Sequence, residues 1–176
     1  IGTRTMENKT TRELMHVVTR VPATTGAALR RLLQVRALHH VQKELGNYFN
    51  NNLVLFLSGM RNYDLAVAMS EYTKNLTFAD PVFQTGSLLM LNSISQLELY
   101  ARGSELLLNS MPGQILGNAL SMLKNKRVAA EVANSHVIVG TFAEIKAVAN
   151  SKNLKGKTLI TSAIDDDRLE FFRQHE

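Results

Sequence analysis

Apolar and polar positions change their spacing along this chain. Leu53-Val54-Leu55-Phe56-Leu57 is an unbroken apolar run between Asn50-Asn51-Asn52 and Ser58-Gly59. A run of that length with no polar alternation predicts a strand buried on both faces, as in the middle of a parallel sheet. Leu76 to Phe78 predicts a second strand, ended by Asp80-Pro81. Between them Leu65 to Tyr72 has helical spacing, with Asn62 or Asp64 as its cap. A short helix joining two such strands implies a parallel, right-handed crossover. The pattern returns later as His136 to Val139, then Phe142 to Ala149 opened by a Thr141/Glu144 capping box, then Thr158 to Thr161.

The remaining segments are helical or irregular. Met6 to Met15 is polar and reads as a short helix or an arm, and His16 to Val21 as a strand or extended lead-in stopped by Pro22. Thr24-Thr25-Gly26 starts a helix with a threonine N-cap, an apolar stripe of Leu29, Leu32, Leu33, Val41 and Leu45, and an end at Gly46-Asn47. Ser87 to Asn109 is mostly helix-forming, with Gly86 and Gly103 as breaks, and Pro112-Gly113 is a turn before a helix over Gln114 to Val132. Ser162 to Asp167 opens a last helix, its acids at the positive end. The alternation predicts an α/β fold, a Rossmann-like three-layer sandwich with a mostly parallel sheet and a helical N-terminal segment. The expected division is 1–48 for that segment and 49–176 for the α/β domain. Asp165 to Glu176 reads as a helix that stops without a cap or a following strand, so the domain reads as truncated at its C-terminus.

Composition narrows the classes. Of 176 residues, 45% are hydrophobic and 20% charged, which fits a globular chain with a substantial core. The absence of cysteine excludes disulfides, thiolate metal sites and cysteine nucleophiles. No apolar run is long enough to span a bilayer and no signal peptide is seen, so a cytoplasmic location is expected. The net charge of +5 comes from scattered residues. Arg30, Arg31 and Arg36 share one helix, and Lys124, Lys126 and Arg127 another, without the interleaved aromatics of a nucleic-acid surface.

Ligands of open parallel sheets bind beyond the carboxyl ends of the strands. The candidates are therefore Ser58, Gly59, Asp80, Gly140, Thr141, Thr161 and Ser162. Gly59 stands where backbone can approach a phosphate near a helix N-terminus, and Asp80 follows at about the 20-residue interval of a ribose-binding acid. Arg61 is placed to contact an anion. Gly59 has no companion glycines, and Arg61 and Tyr63 occupy the next alternate positions, where bulk would crowd a pyrophosphate. The competing reading is that Gly59 makes a tight turn and Asp80 bonds locally. The histidines have no metal-ligand spacing. Asp165-Asp166-Asp167 reads as helix capping, the methionines as core filler, and Gly156-Lys157-Thr158 precedes a strand, the reverse of a P-loop.

Four stretches carry a family likeness: Val54 to Gly59, Thr77 to Phe83, Leu97 to Arg102 and Leu154 to Thr161. Through them the last two-thirds of the chain resembles Rossmann-like proteins labelled quinate or shikimate 5-dehydrogenase-like. The resemblance implies a Rossmann-like domain and, by label, an oxidoreductase using NAD or NADP. The chain departs from that family in lacking its glycine-rich loop and in offering no residues for its lysine–aspartate catalytic pair. Binding of NAD or NADP and binding of no cofactor are equally compatible with the residues. Three functional readings follow. One is a non-catalytic Rossmann-like module with a regulatory or assembly role, with a protein partner or a second copy. Another is a dinucleotide-dependent oxidoreductase domain holding a nucleotide or small anion across Gly59 and Asp80. The last is a domain that binds a phosphorylated ligand or nucleic acid through Arg30, Arg31, Lys126 and Arg127, with nucleic acid the least favoured partner.

Overall fold

The computed structural model describes residues 26–108, 119–149, 154–161 and 164–174. The arm at Met6 to Met15, the lead-in at His16 to Val21, the turn at Pro112-Gly113 and the candidate Ser162 lie outside the described residues. In chain order the elements are α1 (Ala27–Glu44), β1 (Val54–Phe56), α2 (Tyr63–Met69), β2 (Leu76–Phe78), α3 (Asp80–Thr85), α4 (Ile94–Leu108), α5 (Ala119–Asn134), β3 (Val137–Val139), α6 (Phe142–Val148), β4 (Thr158–Ile160) and α7 (Asp166–Arg173).

The four strands form one sheet in the order β2-β1-β3-β4, and every pairing is parallel. The unbroken apolar run of β1 is explained by its place: it has a neighbour on each edge and a helical layer on each face. Val54 and Phe56 point into one core with Leu38 of α1, Leu65, Ala66 and Met69 of α2, and Leu97 of α4. Leu55 and Leu57 point into the other, with Val128 and Val132 of α5, Ile145 of α6 and Phe172 of α7. β3 divides in the same way, Val137 and Val139 to the first core and Ile138 to the second. The result is a three-layer α/β sandwich, helices on both faces of a parallel sheet.

The helix-end signals near Gly46 act as expected. Gly46 and Asn47 both adopt left-handed backbone, at φ 62° and 67°. The Asn47 amide donates to Gln42 O and the Gly46 amide to Lys43 O, the double bond of a Schellman motif. Buried Gln42 ties the following loop to α1, since its Oε1 accepts from Phe49 N at 2.8 Å and its Nε2 donates to Asn50 Oδ1.

Several local expectations are corrected. The N-cap of α1 is Gly26, at φ 68°, while Thr24 and Thr25 lie outside the described residues. Of the apolar stripe expected on α1, only Val41 packs against the core. Leu29, Leu32, Leu33 and Leu45 are exposed, and Leu38 and Gln42 are buried. The inward face runs through Arg31, Val35, Leu38 and Gln42, spaced by four, three and four residues, and Arg31 pairs with Asp64 of α2 at 3.5 Å. A helix can turn only one such face inward, and here the face that meets α2 carries fewer leucines than the opposite one. Asn62 stands at the N-cap of α2 without capping it, because its side-chain amide donates back to Ser58 O. Asp80-Pro81 does not merely end β2; it forms the first turn of α3, with Ala79 as N-cap. Helix does not begin at Ser87. Leu91 exchanges backbone bonds with Phe78, at 2.7 and 3.0 Å, in an isolated antiparallel bridge on the outer edge of β2, and α4 starts only at Ile94. Gly103 sits inside α4 without breaking it.

Candidate functional site

β1 is the first strand, and the chain extends the sheet to one side through β2 and to the other through β3 and β4. The change of direction lies between β1 and β3, which makes their carboxyl ends the crevice to inspect. Gly59 follows β1, Asp80 follows β2, Gly140 and Thr141 follow β3, and Thr161 follows β4.

Asp80 turns inward. Its side chain is buried, and its two oxygens accept from two successive amides of the β1–α2 loop, Gly59 N to Oδ2 at 2.7 Å and Met60 N to Oδ1 at 2.9 Å. Successive amides aimed at one point form a small anion-binding concavity, and a carboxylate of the same chain fills this one. The surroundings are closed as well. A Cβ on Gly59 would run into Cδ1 of Phe78, and would meet Asp80 Oδ2 at 3.0 Å and Leu97 Cδ2 at 3.1 Å. Burial pushes the Asp80 carboxyl up from 3.8 to about 6, against the opposing pull of the Met60 and Gly59 amides, and the charge of Glu144 adds to the rise.

The β3 side is set by the capping box. Thr141 Oγ1 accepts from Glu144 N at 3.3 Å, and Glu144 Oε2 accepts from Thr141 N at 2.7 Å. Gly140 is buried, a Cβ there would meet Leu57 Cδ1 at 3.1 Å and Glu144 Oε2 at 3.3 Å, and its amide donates to Ile160 O. Ser58 contributes its carbonyl, which accepts from both the backbone and the side-chain amide of Asn62. Arg61 is exposed on the rim. Thr161 Oγ1 is buried and has no hydrogen-bond partner among the described residues.

Two further pairs line the same end of the sheet without having been singled out from the sequence. The Tyr63 hydroxyl donates to Glu98, and burial together with that carboxylate pushes the phenol up to about 12. The Tyr100 hydroxyl donates to Gln84 Oε1 at 3.3 Å, and burial raises it too, with the Asp80 charge adding. Their sequence separations, 35 and 16 residues, leave no local signal. Among the described residues no three His, Asp or Glu side chains are grouped to hold a metal ion, and no helix is long and apolar enough to cross a membrane.

A family model, Domain of unknown function (DUF8754), matches residues 28–176. The chain belongs to that family. The matched region includes α1 together with the sheet. No curated protein matches the chain, and no solved structure does.

Proposed function

We propose that this DUF8754 chain is a non-catalytic Rossmann-like module with a regulatory or assembly role. One observation carries the reading: the carboxylate of Asp80 already takes the Gly59 and Met60 amides that a bound pyrophosphate would need. A pyrophosphate there would face a buried negative charge instead of free N–H groups, and Phe78 and Leu97 pack closely against Gly59. The residues therefore fit a dinucleotide poorly. An assembly role draws support from α1, whose Leu29, Leu32 and Leu33 stand 61%, 51% and 56% exposed on one face. A second copy or another protein would serve as the partner, in the cytoplasm.

The test is a thermal-shift titration with NAD, NADP and their reduced forms. A nucleotide at about 100 times its dissociation constant stabilises a fold by roughly 2.7 kcal/mol, which shows as a shift of several degrees. The expected result is no shift in a cooperatively melting protein. A saturable shift with any of the four would overturn the reading in favour of a dinucleotide-binding oxidoreductase domain.

A further inference from the structure

Two surfaces on opposite sides of the sheet carry exposed apolar groups with opposite charge. On α1, Leu29, Leu32, Leu33 and Arg36 follow the spacing i, i+3, i+4 and i+7, and all four are exposed, so they share one stripe. Arg30 is exposed beside them, and neither Arg30 nor Arg36 makes an ion pair among the described residues. α1 holds no acid before Glu44, its last residue. Beyond the other face of the sheet, a groove of about 500 Å³ lies between α6 and α7. Phe142 and Phe171 are its apolar lining, and Asp165, Asp167 and Glu170 outnumber Lys146 and Arg168 among its charged groups. The two cations are already engaged. Arg168 pairs with Asp165 at 3.2 Å and lies over the Phe142 ring, and Lys146 lies over the Phe171 ring at 5.5 Å. Asp167 and Glu170 are exposed and make no ion pair among the described residues, and Leu169 between them is exposed as well.

We propose that α1 of one copy docks in the α6–α7 groove of the next, with its leucines against Phe142 and Phe171 and with Arg30 and Arg36 facing Asp167 and Glu170. The contact rests on the assembly role proposed above and names a second copy as the partner. A chain cannot fill its own groove this way. α1 packs on the first core through Leu38, α7 packs on the second through Phe172, and the sheet stands between them. The contact is therefore head-to-tail. Its two halves lie on opposite sides of each copy, so a pair leaves one stripe and one groove open, and addition continues into a ring or a filament. Charge argues against pairing of α1 with α1, since that would set arginines against arginines with no acid near them. An anionic lipid surface would suit the leucines and arginines but would leave the acidic groove without a role.

The test is sedimentation velocity on the intact chain from low to high micromolar concentration, with two variants. Leu33→Glu spoils the stripe and keeps the groove. Asp167→Arg combined with Glu170→Arg spoils the groove and keeps the stripe. All three positions are exposed, and thermal melting checks that both variants fold. The expected result is a wild-type mass that grows past two copies with concentration, monomers for each variant alone, and a one-to-one complex when the variants are mixed, because one still offers a groove and the other a stripe. Association that stops at two copies would overturn the proposal. So would self-association of the groove variant, which would mean an α1–α1 contact, and so would variants that stay apart when mixed. A monomeric wild type that sediments with phosphatidylserine vesicles would overturn it in favour of a lipid surface. A monomeric wild type without nucleotide-induced stabilisation would sink this contact alone, whereas a saturable nucleotide shift would sink the non-catalytic reading beneath it.

Discussion

Gly59 and Phe78 lie so close that one added carbon on the glycine would overlap the phenyl ring at Cδ1. Phe78 cannot give way, because it is fully buried and stacked on Phe56 with ring centroids 5.2 Å apart. Gly59 is required here for space, since its backbone is not left-handed. Gly59→Ala should therefore destabilise the fold by about 1–3 kcal/mol through overpacking. Gly103, in the interior of α4 with open space around it, is the opposite case. Gly103→Ala should stabilise by about 0.5–1 kcal/mol. Urea denaturation of both variants checks the pair, and equal effects would contradict the packing described around β1.

Asp80 makes stability depend on pH in an uncommon direction. Its carboxyl is raised in the folded chain, to about 6 from 3.8, so the folded state holds the proton more tightly than the unfolded state. The stabilisation linked to that proton is fully present below about pH 4 and is lost as pH rises through about 6. A displacement of about two pH units corresponds to roughly 3 kcal/mol at most. Asp80→Asn lacks this dependence. The stability of the wild type minus that of the variant should fall between about pH 4 and about pH 6.5, measured by denaturant titration across the range. A difference that grows with pH would mean that the carboxyl is lowered rather than raised.

On α1 the leucines divide by direction. Leu38 is buried against the sheet, while Leu29 and Leu33 face outward. Leu38→Ala should cost about 2–4 kcal/mol and leave a cavity. Leu29→Ala and Leu33→Ala should stay within about 0.5 kcal/mol of wild type when the chain is monomeric. Dilution experiments are the check. A large loss in either outward variant that appears only at high protein concentration would place that face in a contact between copies.

The same helix shows where sequence reasoning succeeds and where it stops. β1 was legible because five successive apolar residues permit little besides a strand covered on both faces, and the Thr141/Glu144 box was legible because its two bonds span three residues. The inward face of α1 was not. The leucine count favoured the outward side, and only the position of α2 selects Arg31, Val35, Leu38 and Gln42. The start of α4 was hidden for a similar reason, since Leu91 leaves the helical pattern to pair with Phe78, 13 residues away. At the candidate site, the sequence placed Gly59 and Asp80 together at the ends of neighbouring strands. It could not say whether the carboxylate would face a ligand or the loop, because that depends on the space left by Phe78 and Leu97.

Lys157 offers a last test, of the junction between α5 and β4. Its ammonium donates to Ala133 O at 2.8 Å and Ser135 O at 2.6 Å, closing the carboxyl end of α5 just before β3 begins. The last carbonyls of a helix lack partners within it, and a cation there also complements the helix dipole. Burial lowers the Lys157 amine, which is the cost of bringing that charge down onto the backbone. Lys157→Met keeps the aliphatic stem and removes both bonds, so it should destabilise by about 1–2 kcal/mol. Lys155→Met, two residues earlier and exposed, should change stability by less than about 0.5 kcal/mol. The acceptors are carbonyls rather than carboxylates, so the Lys157 effect should persist in high salt, where an exposed ion pair would fade. Denaturant midpoints at low and high salt decide it, and a difference that vanished in salt would mean that the lysine acts through a charged partner instead.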